Sequence, residues 1–367
     1  MRIAAFGFRS LPPSNGAAGA DKFVLELLPR IVSQGHAVIA YNRKYPNAHV
    51  DIKEYKGVKI KTFKTVNRKG FDTLIHSLKC TVDIIFNNTA DVVHIQNGGN
   101  SIWCVFLRMF GKKVFISQDG VDWKRKKWPW YGKLYLKISS YITAHIPNMV
   151  IFDNVIAKNY FEKKFGKSYE FIPFGSEMDE VREDNQTLIK YGLKKNDYYL
   201  FVGRFIPDKG LHYLIPAFQS AKINRKLVLV GGCPNPSPYE RQLRKSASDK
   251  IVFTGFVYGD EVNRLMRSAY CYIQPSDVEG LSPVVLSVMG LGVPLIVSDI
   301  EENLYAVKDT AITFKKADID SLKQQIQFAD ENADQIDQLA HKAQIRALNY
   351  FNWQKVAQEH IHVFSKY

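Results

Sequence analysis

The sequence predicts an α/β protein built from two tandem, doubly wound Rossmann-like domains that face a cleft. Three observations predict it: a length of 367 residues, short apolar runs that alternate with helical patterns, and a second start of this alternation after about residue 195. A chain of this length exceeds one ordinary core, so two domains of roughly 150–200 residues each are expected. Alternating strands and helices indicate a mostly parallel sheet with helices on both faces.

The first half of the chain predicts an N-terminal domain over residues 1–175. Its apolar runs predict strands at residues 3–8, 37–41, 58–63, 92–95, 113–117, 149–152 and 169–172. Apolar residues at three- and four-residue spacing predict helices at residues 23–34, 73–86, 101–110 and 131–144. No low-complexity tract or short-period repeat interrupts this order.

The second half predicts another domain of the same kind over residues 196–345. Strands are expected at residues 198–202, 226–230, 251–254, 270–274, 293–297 and 311–314, with a helix at 211–222. Residues 176–195 are the expected linker, because residues 176–186 carry five acids and little apolar surface. The residues Phe351-Asn352-Trp353 mark a break, and residues 346–367 are expected to form a last helix that packs back toward the N-terminal domain.

The charge of the chain indicates an anionic partner. Lysines and arginines number 50 against 36 acids, which gives a formal net charge of +14. Phosphates, a membrane surface or a nucleic acid could bind a chain of this charge. No recognised nucleic-acid module is visible, so nucleic acid is disfavoured. No apolar stretch reaches about 18 residues, so no membrane span is expected. The four cysteines are scattered without a metal-binding spacing, which is typical of reduced thiols in a cytosolic protein.

Two glycine-bearing turns are candidate phosphate sites. The first, residues 12–21 with Gly19, follows the first strand but lacks the GxGxxG spacing, which disfavours a nicotinamide dehydrogenase. It could equally be a simple helix entry. The second turn, residues 201–210, carries Arg204 and Lys209 between glycines. An arginine fork and a lysine point charge could stabilise a diphosphate leaving group without a metal, with surface salt bridges as the alternative.

The loop at residues 275–282 is the third candidate. Glu279 stands beside Gly280 in this loop, between apolar runs that predict two neighbouring strands. In open α/β sheets, ligands bind at the carboxyl ends of strands, where such loops lead into helices. Taken alone, an ordinary loop carboxylate would be the simpler interpretation, and the rest of the chain favours a ligand-binding role.

These motifs, in this order, resemble those of GT-B glycosyltransferases of the large retaining family four. The matching residues are Gly203-Arg204, Lys209-Gly210, Val228 to Gly232, Ile251 to Gly255, Pro275-Ser276, Glu279 to Leu281, Gly292 to Pro294 and Ser298-Asp299. The resemblance covers nearly the whole chain. Residues 119–125, from Asp119 to Arg125, resemble more narrowly a subgroup that includes rhamnosyltransferases of bacterial surface polysaccharides.

The resemblance implies a role for each matching residue. It implies that Arg204 and Lys209 bind the donor diphosphate and that Glu279 holds hydroxyls of the donor sugar. The implied donor-binding residues are Gly19, Gly203, Arg204, Lys209, Glu279, Gly280, Leu281, Ser282 and Ser287. The implied catalytic residues are Glu279, Asp119, Arg204 and Lys209. It also implies retention of anomeric configuration without a protein nucleophile, no divalent cation and no cofactor beyond the nucleotide sugar.

The sequence departs from the family pattern at two positions. The second glutamate of the family, which accepts hydrogen bonds from two ribose hydroxyls, falls on Ser287, and a serine cannot make that bidentate contact. A deoxyribose donor such as dTDP would need one contact fewer; another residue could instead compensate, or donor affinity could be low. The family's histidine near the donor sugar is replaced by Asp119, whose carboxylate could still accept a sugar hydroxyl.

A basic and aromatic stretch is the candidate for membrane or acceptor contact. It comprises Trp123, Lys124, Arg125, Lys126, Lys127, Trp128 and Trp130. Cations interleaved with tryptophans suit an anionic bilayer interface. A solvated loop or an aromatic platform for a sugar are the alternatives.

The sequence therefore predicts a metal-independent, retaining glycosyltransferase of bacterial surface polysaccharide biosynthesis. It would move a sugar, with rhamnose from dTDP-rhamnose preferred, to a lipid-linked glycan at the inner face of the plasma membrane. A nucleotide-sugar 2-epimerase and a catalytically silent nucleotide-sugar-binding subunit are the alternatives. The epimerase would need an acid/base set that the motifs do not show, whereas loss of the second glutamate would fit the silent subunit.

Overall fold

The computed structural model describes the chain apart from residues 13–18, 45–51, 67–69, 122, 124–128, 177–185 and 234–236. The chain divides into two compact units. Unit 1 comprises Met1–Phe174 together with Trp353–Tyr367, and unit 2 comprises Gly175–Asn352. Each unit carries a mostly parallel sheet with helices, so the predicted fold class of two doubly wound domains is confirmed. The predicted cleft stays a prediction.

The sheet of unit 1 has eight strands within the described residues. They are β1 (Arg2–Phe6), β2 (Ala37–Lys44), β3 (Glu54–Tyr55), β4 (Val58–Lys64), β5 (Val92–Gln96), β6 (Lys113–Gln118), β7 (Met149–Phe152) and β8 (Glu170–Phe171). Their order is β3-β4-β2-β1-β5-β6-β7-β8, and only β3 runs antiparallel to its neighbour. The central strands are buried on both faces, as expected for a sheet covered on both sides.

Helices cover both faces of this sheet. They are α1 (Gly19–Ser33), α2 (Phe71–Phe86), α3 (Ile102–Met109), α4 (Trp130–His145) and α5 (Val155–Phe165), with the last helix of the chain, α14 (Trp353–Lys366). Right-handed crossovers place α2, α3, α4 and α5 on one face and α1 on the other. The strand side chains agree: Val93 and Ile95 pack in the core with α2 and α3, whereas His94 contacts Phe23 and His360.

Unit 2 repeats the design, with six parallel strands in the part that the structure describes. They are β9 (Tyr198–Gly203), β10 (Lys226–Gly231), β11 (Ile251–Gly255), β12 (Cys271–Gln274), β13 (Leu295–Ser298) and β14 (Ile312–Phe314), in the order β11-β10-β9-β12-β13-β14. The helices are α6 (Gln186–Lys190), α7 (Leu211–Ala221), α8 (Pro238–Arg244), α9 (Asp260–Arg267), α10 (Pro283–Gly290), α11 (Glu301–Val307), α12 (Ile319–Glu331) and α13 (Ala333–Tyr350).

The boundaries between the units differ from the expected ones. Residues 186–195 belong to unit 2, where Leu188 and Leu193 are buried and Lys190 pairs with Glu261 at 2.6 Å. Residues 177–185 of the expected linker lie outside the described residues. The expected boundary between residues 345 and 346 falls inside α13, because this helix continues to Tyr350.

The break at residues 351–352 separates α13 from α14, where the sequence places it. The aromatic ring of Trp353, the first residue of α14, lies 5.8 Å from Phe23 and 5.9 Å from Phe174. The carbonyl of Phe351 accepts from the backbone N–H of Ser176 at 2.5 Å and from its hydroxyl at 3.0 Å. These bonds tie together the two segments at which the chain passes from one unit to the other.

Three of the strands and helices named above escape the sequence pattern: β3, α5, and α6, which falls in the expected linker. The strand β3 has only two residues, too few for a periodicity. The helix α5 buries only Ala157 and Phe161, so its apolar stripe is narrow. Its ends are nevertheless well marked, since Asn154 caps the N-terminus with its side chain and Gly166 ends the helix with a φ of 64°.

Candidate active site

The carboxyl ends of neighbouring strands bring the predicted residues of unit 2 together. In the sheet, β12 lies between β9 and β13, with Tyr272 opposite Leu200 and Gln274 opposite Val297. All three strands are parallel, so the loops that follow them start at the same edge. Arg204 and Lys209 follow β9, and Glu279 follows β12. Glu302 follows β13, near the start of α11.

Glu279 is the centre of this edge. Its oxygen Oε1 accepts from the ammonium group of Lys209, from the amide of Gln274 and, at 2.6 Å, from the hydroxyl of Ser276. The carboxylate is almost fully buried, with 7% of the side chain exposed. All three donors use Oε1, and no described residue donates to Oε2. The second oxygen is therefore the one left to accept a hydrogen bond from a ligand.

A chain of buried polar groups holds this carboxylate in place. The hydroxyl of Tyr272 donates to Oε1 of Gln274 at 2.5 Å, and the hydroxyl of Ser298 donates to the carbonyl of Ser276 at 2.6 Å. Asn303 in turn donates to the hydroxyl of Ser298 at 3.0 Å. Burial, and then the charge of Glu279, raise the pKa of Tyr272. Tyr272 therefore stays neutral and keeps its donor proton.

The loop that carries Lys209 depends on Gly210 for its shape. Residues Pro207–Lys209 form a single 3-10 turn that ends at Gly210, whose φ is 70°. A Cβ on Gly210 would stand 1.9 Å from the carbonyl oxygen of Pro275, so only glycine lets the two loops meet. The backbone N–H of Asp277 donates to the carbonyl of Asp208 at 2.9 Å. These contacts fix the distance between the lysine and the glutamate loops.

Arg204 lies at the start of the same loop and is exposed. It makes no side-chain hydrogen bond or ion pair to another described residue, in contrast to Lys209. It follows Gly203, which lies beside Gly231 of β10: a Cβ on Gly231 would stand 1.9 Å from the carbonyl oxygen of Gly203. The close approach of these two strands leaves the guanidinium at the sheet edge, free to move toward an anion.

The residues after Glu279 lead into α10. Leu281 is buried, and the hydroxyl of Ser282 caps the helix by accepting from the backbone N–H of Val285 at 3.4 Å. Gly280 lies between Glu279 and Leu281 and is partly exposed. The expected help from Gly280, Leu281 and Ser282 in donor binding stays a prediction.

Ser287 lies within α10 with its hydroxyl turned toward the helix backbone, and its place among the donor-binding residues stays a prediction. The residue is 1% exposed, within α10, and its hydroxyl donates to the carbonyl of Pro283 one turn earlier at 2.9 Å. The serine side chain is short and bonds back to its own helix, so it does not project from this buried position. The preference for a deoxyribose donor rests on the missing bidentate contact at this position, and it stays a prediction.

Glu302 is a carboxylate of this edge that the motifs do not indicate. It is the second residue of α11 and precedes Asn303, the last member of the polar chain that supports Glu279. Burial, and then the charges of Glu301 and Glu279, raise its pKa above the ordinary value for a glutamic acid. Its only sequence signal is its place just after β13, the strand next to β12.

In unit 1, Asp119 lies beside a second aspartate. The strands β6 and β7 are parallel with Gln118 opposite Phe152, so Asp119 and Asp153 are the next residues on each strand. Asp119 is exposed, whereas Oδ1 of Asp153 is shielded from solvent and has no hydrogen-bond partner among the described residues. Burial, and then the charge of Asp119, raise the pKa of Asp153 well above its ordinary value. Asp153 is absent from the predicted site residues, although a polar residue directly after a buried strand is a visible signal in the sequence.

The glycine turn after β1 is described only in part. Residues 13–18 lie outside the described residues, and Gly19 begins α1. Asp21, two residues later, is buried, and its Oδ1 accepts from the backbone N–H of Arg9 at 2.7 Å. Asp21 therefore anchors the start of the turn to the helix. The predicted approach of Gly19 to a phosphate stays a prediction.

The structure corrects one part of the predicted membrane stretch. Trp123 is buried, with its ring 5.9 Å from Tyr160 and 6.0 Å from Phe161, and the ammonium of Lys164 lies 4.5 Å from its ring centre. It belongs to the core beneath α5. Trp130, at the start of α4, is exposed. The remaining members, Lys124, Arg125, Lys126, Lys127 and Trp128, lie outside the described residues.

Among the described residues, no group of three His, Cys, Asp or Glu side chains comes together in a way that could hold a metal ion. No helix in the described part of the chain is long and apolar enough to cross a membrane.

Comparison with known families divides the chain in nearly the same way as the structure. Residues 185–346 match the family described as glycosyl transferases group 1, and residues 7–177 match a domain of unknown function, DUF1972. The chain therefore carries a glycosyl transferase group 1 domain, and the site around Glu279 lies within it. This agrees with the coarser part of the predicted resemblance, but neither match identifies a rhamnosyltransferase subgroup.

Among curated proteins, the chain is similar to O-antigen chain mannosyltransferase C of Escherichia coli, with 29% identity over 146 residues. The match covers 39% of this chain and 39% of that protein. The chain thus spans well under half of the length of that relative.

Solved structures show the fold. Sucrose-phosphate synthase from Thermosynechococcus elongatus aligns over 99% of this chain and 98% of its own, with a TM-score of 0.83 and 20% identity. The Anabaena protein HepE, in complex with UDP-glucose, aligns over 100% of both chains, with a TM-score of 0.80 and 14% identity. These neighbours are GT-B proteins, so the predicted GT-B fold is confirmed.

Proposed function

We propose that the protein is a retaining glycosyltransferase that moves a sugar from a nucleotide-diphosphate donor to a hydroxyl of a lipid-linked glycan. The observation that carries the proposal is the contact between Lys209 and Glu279 at the carboxyl ends of β9 and β12, with the exposed Arg204 on the same loop. This arrangement lies in a glycosyl transferase group 1 domain. It offers a cation for a diphosphate and a carboxylate for a sugar next to each other.

The reaction follows from the charges of these residues. Arg204 and Lys209 bind the donor diphosphate, and Lys209 moves from Glu279 toward a phosphate oxygen when the anion arrives. Glu279, still held by Gln274 and Ser276, accepts hydrogen bonds from the sugar hydroxyls. The bond between the anomeric carbon and the phosphate oxygen breaks, and its electron pair stays on the phosphate, where the cations stabilise the charge.

The acceptor hydroxyl then completes the transfer. Its oxygen bonds to the anomeric carbon from the side on which the diphosphate departs, and its proton passes to the leaving phosphate. This front-face path retains the anomeric configuration and requires no protein nucleophile. Asp119, with Asp153 beneath it, is the proposed contact of unit 1 to the donor sugar.

Relatives support a sugar-polymer pathway but leave the donor open. O-antigen chain mannosyltransferase C is named for the transfer of mannose in an O-antigen chain, and HepE is solved in complex with UDP-glucose. We keep dTDP-rhamnose as the first donor to test, with a mannose donor second. The proposed place of action is the cytoplasmic face of the plasma membrane, without a metal ion or a further cofactor.

A calorimetric binding panel with dTDP, UDP, GDP and ADP tests the donor. We expect one diphosphate to bind tightly and Arg204→Ala to weaken its binding by roughly tenfold to hundredfold, the usual value of a charge-assisted contact. Arg267→Ala, an exposed arginine of α9 in the same unit, is the matched control. Preference for UDP or GDP over dTDP would remove the rhamnose donor and keep the transferase. Absence of binding for all four would refute the proposal.

Product analysis separates the alternatives. Incubation with the preferred nucleotide sugar and a lipid-linked acceptor should yield a glycolipid with retained configuration. A change of sugar identity in the donor without acceptor would show the 2-epimerase. Nucleotide-sugar binding without transfer or donor hydrolysis would show the silent binding subunit.

A further inference from the structure

The outer surface of α2, α3 and α4 in unit 1 is unusually apolar. Half of the large apolar side chains that are exposed in the described part of the chain lie between residues 71 and 141. Phe86 is 77% exposed, Met109 75% and Phe110 58%. Monomeric proteins rarely show large contiguous apolar patches, and such patches mark sites of protein or membrane contact.

The spacing of these residues forms one stripe on each helix. The stripe contains Phe71, Leu78, Val82 and Phe86 on α2, Phe106, Met109 and Phe110 at the end of α3, and Trp130, Leu134, Ile138 and Tyr141 on α4. The three helices lie side by side on one face of the sheet, and their other sides pack on the strands. Surface helices normally turn polar residues outward, so these helices have a second apolar face.

The charges on this surface have one sign. The helices α3 and α4 contain no acidic residue and carry Arg108, Lys133 and Lys137. The two acids of α2 are neutralised by neighbours. Asp72 pairs with Arg43 at 3.1 Å, and Asp83 pairs with Lys61 at 2.8 Å. An apolar surface rimmed by cations complements a bilayer that contains anionic lipids.

We propose that the outer face of α2, α3 and α4 docks unit 1 on an anionic lipid bilayer. Phe86, Met109 and Phe110 insert among the acyl chains, and Lys133 and Lys137 contact the headgroups. Trp130 and Tyr131, at the start of α4, lie at the interface, where such amphipathic rings are favoured. A second copy of the chain fits this face less well, because a twofold pairing would bring its cations against each other.

This inference names the surface for the membrane contact in the proposed function, and it rests on that function only for the lipid-linked acceptor. It also moves the contact away from Trp123, which is buried. The docking can be measured without any sugar transfer, so the two proposals fail separately.

Vesicle co-sedimentation tests the apolar part. The wild-type protein should bind vesicles of phosphatidylglycerol and phosphatidylcholine more tightly than vesicles of phosphatidylcholine alone. We expect the triple variant F86S/M109S/F110S to lower the vesicle partition coefficient at least tenfold. The control I189S/I345S/L348S removes three exposed apolar side chains of unit 2 and should stay within twofold of wild type. Equal losses in both variants, or none in the first, would overturn the proposal.

Charge reversal tests the electrostatic part. K133E/K137E should weaken binding to the anionic vesicles by at least tenfold at low salt and have little effect on binding to phosphatidylcholine. K245E/K342E, two exposed lysines of unit 2, is the control for the change in net charge. An equal effect of the two pairs would show attraction by overall charge and refute this surface.

Two further measurements separate folding and self-association from docking. The serine variant should keep the circular dichroism spectrum and the cooperative thermal melt of wild type, which would show that unit 1 is still folded. Sedimentation equilibrium should find a monomer for both proteins. A wild-type dimer that the serine substitutions dissociate would identify a second copy as the occupant and overturn the membrane proposal.

Discussion

Lys209 and Glu279, 70 residues apart in the chain, share a direct hydrogen bond between ammonium and carboxylate at the edge of the unit 2 sheet. The same carboxylate oxygen accepts from Gln274 and Ser276. In the proposed reaction, the donor diphosphate would compete with Glu279 for the lysine, while Gln274 and Ser276 keep the carboxylate in position. The contact would then keep the two charges paired until a donor binds.

Loss of the charge of Glu279 should impair transfer strongly. We expect Glu279→Gln to lower kcat/KM for the donor by roughly tenfold to hundredfold, because hydrogen bonds to a charged group contribute about 1.5–3 kcal/mol. Steady-state kinetics with the preferred nucleotide sugar measures the change. The control is Glu301→Gln, an exposed acid at the start of α11, which should change kcat/KM less than twofold. Similar losses in both variants would argue against a specific role.

A methyl group at Gly210 should separate the two loops. Gly210→Ala places a Cβ 1.9 Å from the carbonyl oxygen of Pro275, in addition to the strain of a φ of 70°. We expect the clash to lower the unfolding free energy by about 1–3 kcal/mol beyond the effect of the strained backbone, with weaker nucleotide binding. Gly192→Ala is the matched control, since its φ is 61° but nothing lies within 4 Å of its Cβ. If both variants melt alike and bind nucleotide normally, the contact between the loops has no effect.

Asp153→Asn should stabilise the protein at neutral pH. The pKa of Asp153 is raised in the folded state by burial and by Asp119, so this group opposes folding once the pH exceeds the pKa of the unfolded chain. The variant should therefore have a higher Tm than wild type at pH 7, and the difference should shrink as the pH falls toward 4. Thermal melts across this range measure it. A lower Tm of the variant at pH 7 would show that the carboxylate is needed for the fold.

His360 should make the protein sensitive to acid. Burial lowers the pKa of His360 to about 4 and lowers that of its neighbour His94 well below its usual value. Between pH 6.5 and about pH 4, His360 is protonated in the unfolded chain but stays neutral in the folded core. The contribution of His360 to the unfolding free energy is therefore complete above pH 6.5 and declines down to about pH 4. Over this range His360→Leu should lose about 3 kcal/mol less unfolding free energy than wild type. His362→Leu, on the exposed side of the same helix, is the control in urea titrations at each pH.

Metal removal should leave the transfer unchanged. The proposed reaction stabilises the diphosphate with Arg204 and Lys209, so an excess of EDTA should alter kcat by less than twofold. The preferred donor and a lipid-linked acceptor are used, with and without added Mg²⁺. A loss of activity that Mg²⁺ restores would show that the two cations are insufficient.

Most of the fold is visible in the sequence because buried parallel strands leave continuous apolar runs. The strand at Met149–Phe152 coincides with the predicted one, and the end of α13 before Trp353 is marked by the break in the pattern. Because the pattern does not predict α5, the burial of Trp123 is not predicted either. Tyr160 and Phe161 of that helix cover Trp123, so a tryptophan in a basic stretch was assigned to the surface.

The site was predictable only in part. Glycines and charges at strand ends indicated Lys209 and Glu279 as separate motifs, but their contact depends on the order of strands, in which β12 lies next to β9. The polar support from Gln274 and Ser298 and the pairing of Asp153 with Asp119 also depend on register across strands. Such neighbours come from distant parts of the chain and leave no local pattern.

Unit 1 is assembled from both ends of the chain, with α14 covering Phe23 and Phe174. During synthesis on a ribosome, residues 1–174 emerge long before this helix. The side of their sheet that α14 covers therefore stays exposed to solvent while unit 2 is synthesised. Unit 2, which is continuous in sequence, can complete its core first. A nascent chain stalled before residue 353 would therefore hold a finished second domain and an unfinished first one, a natural substrate for chaperones.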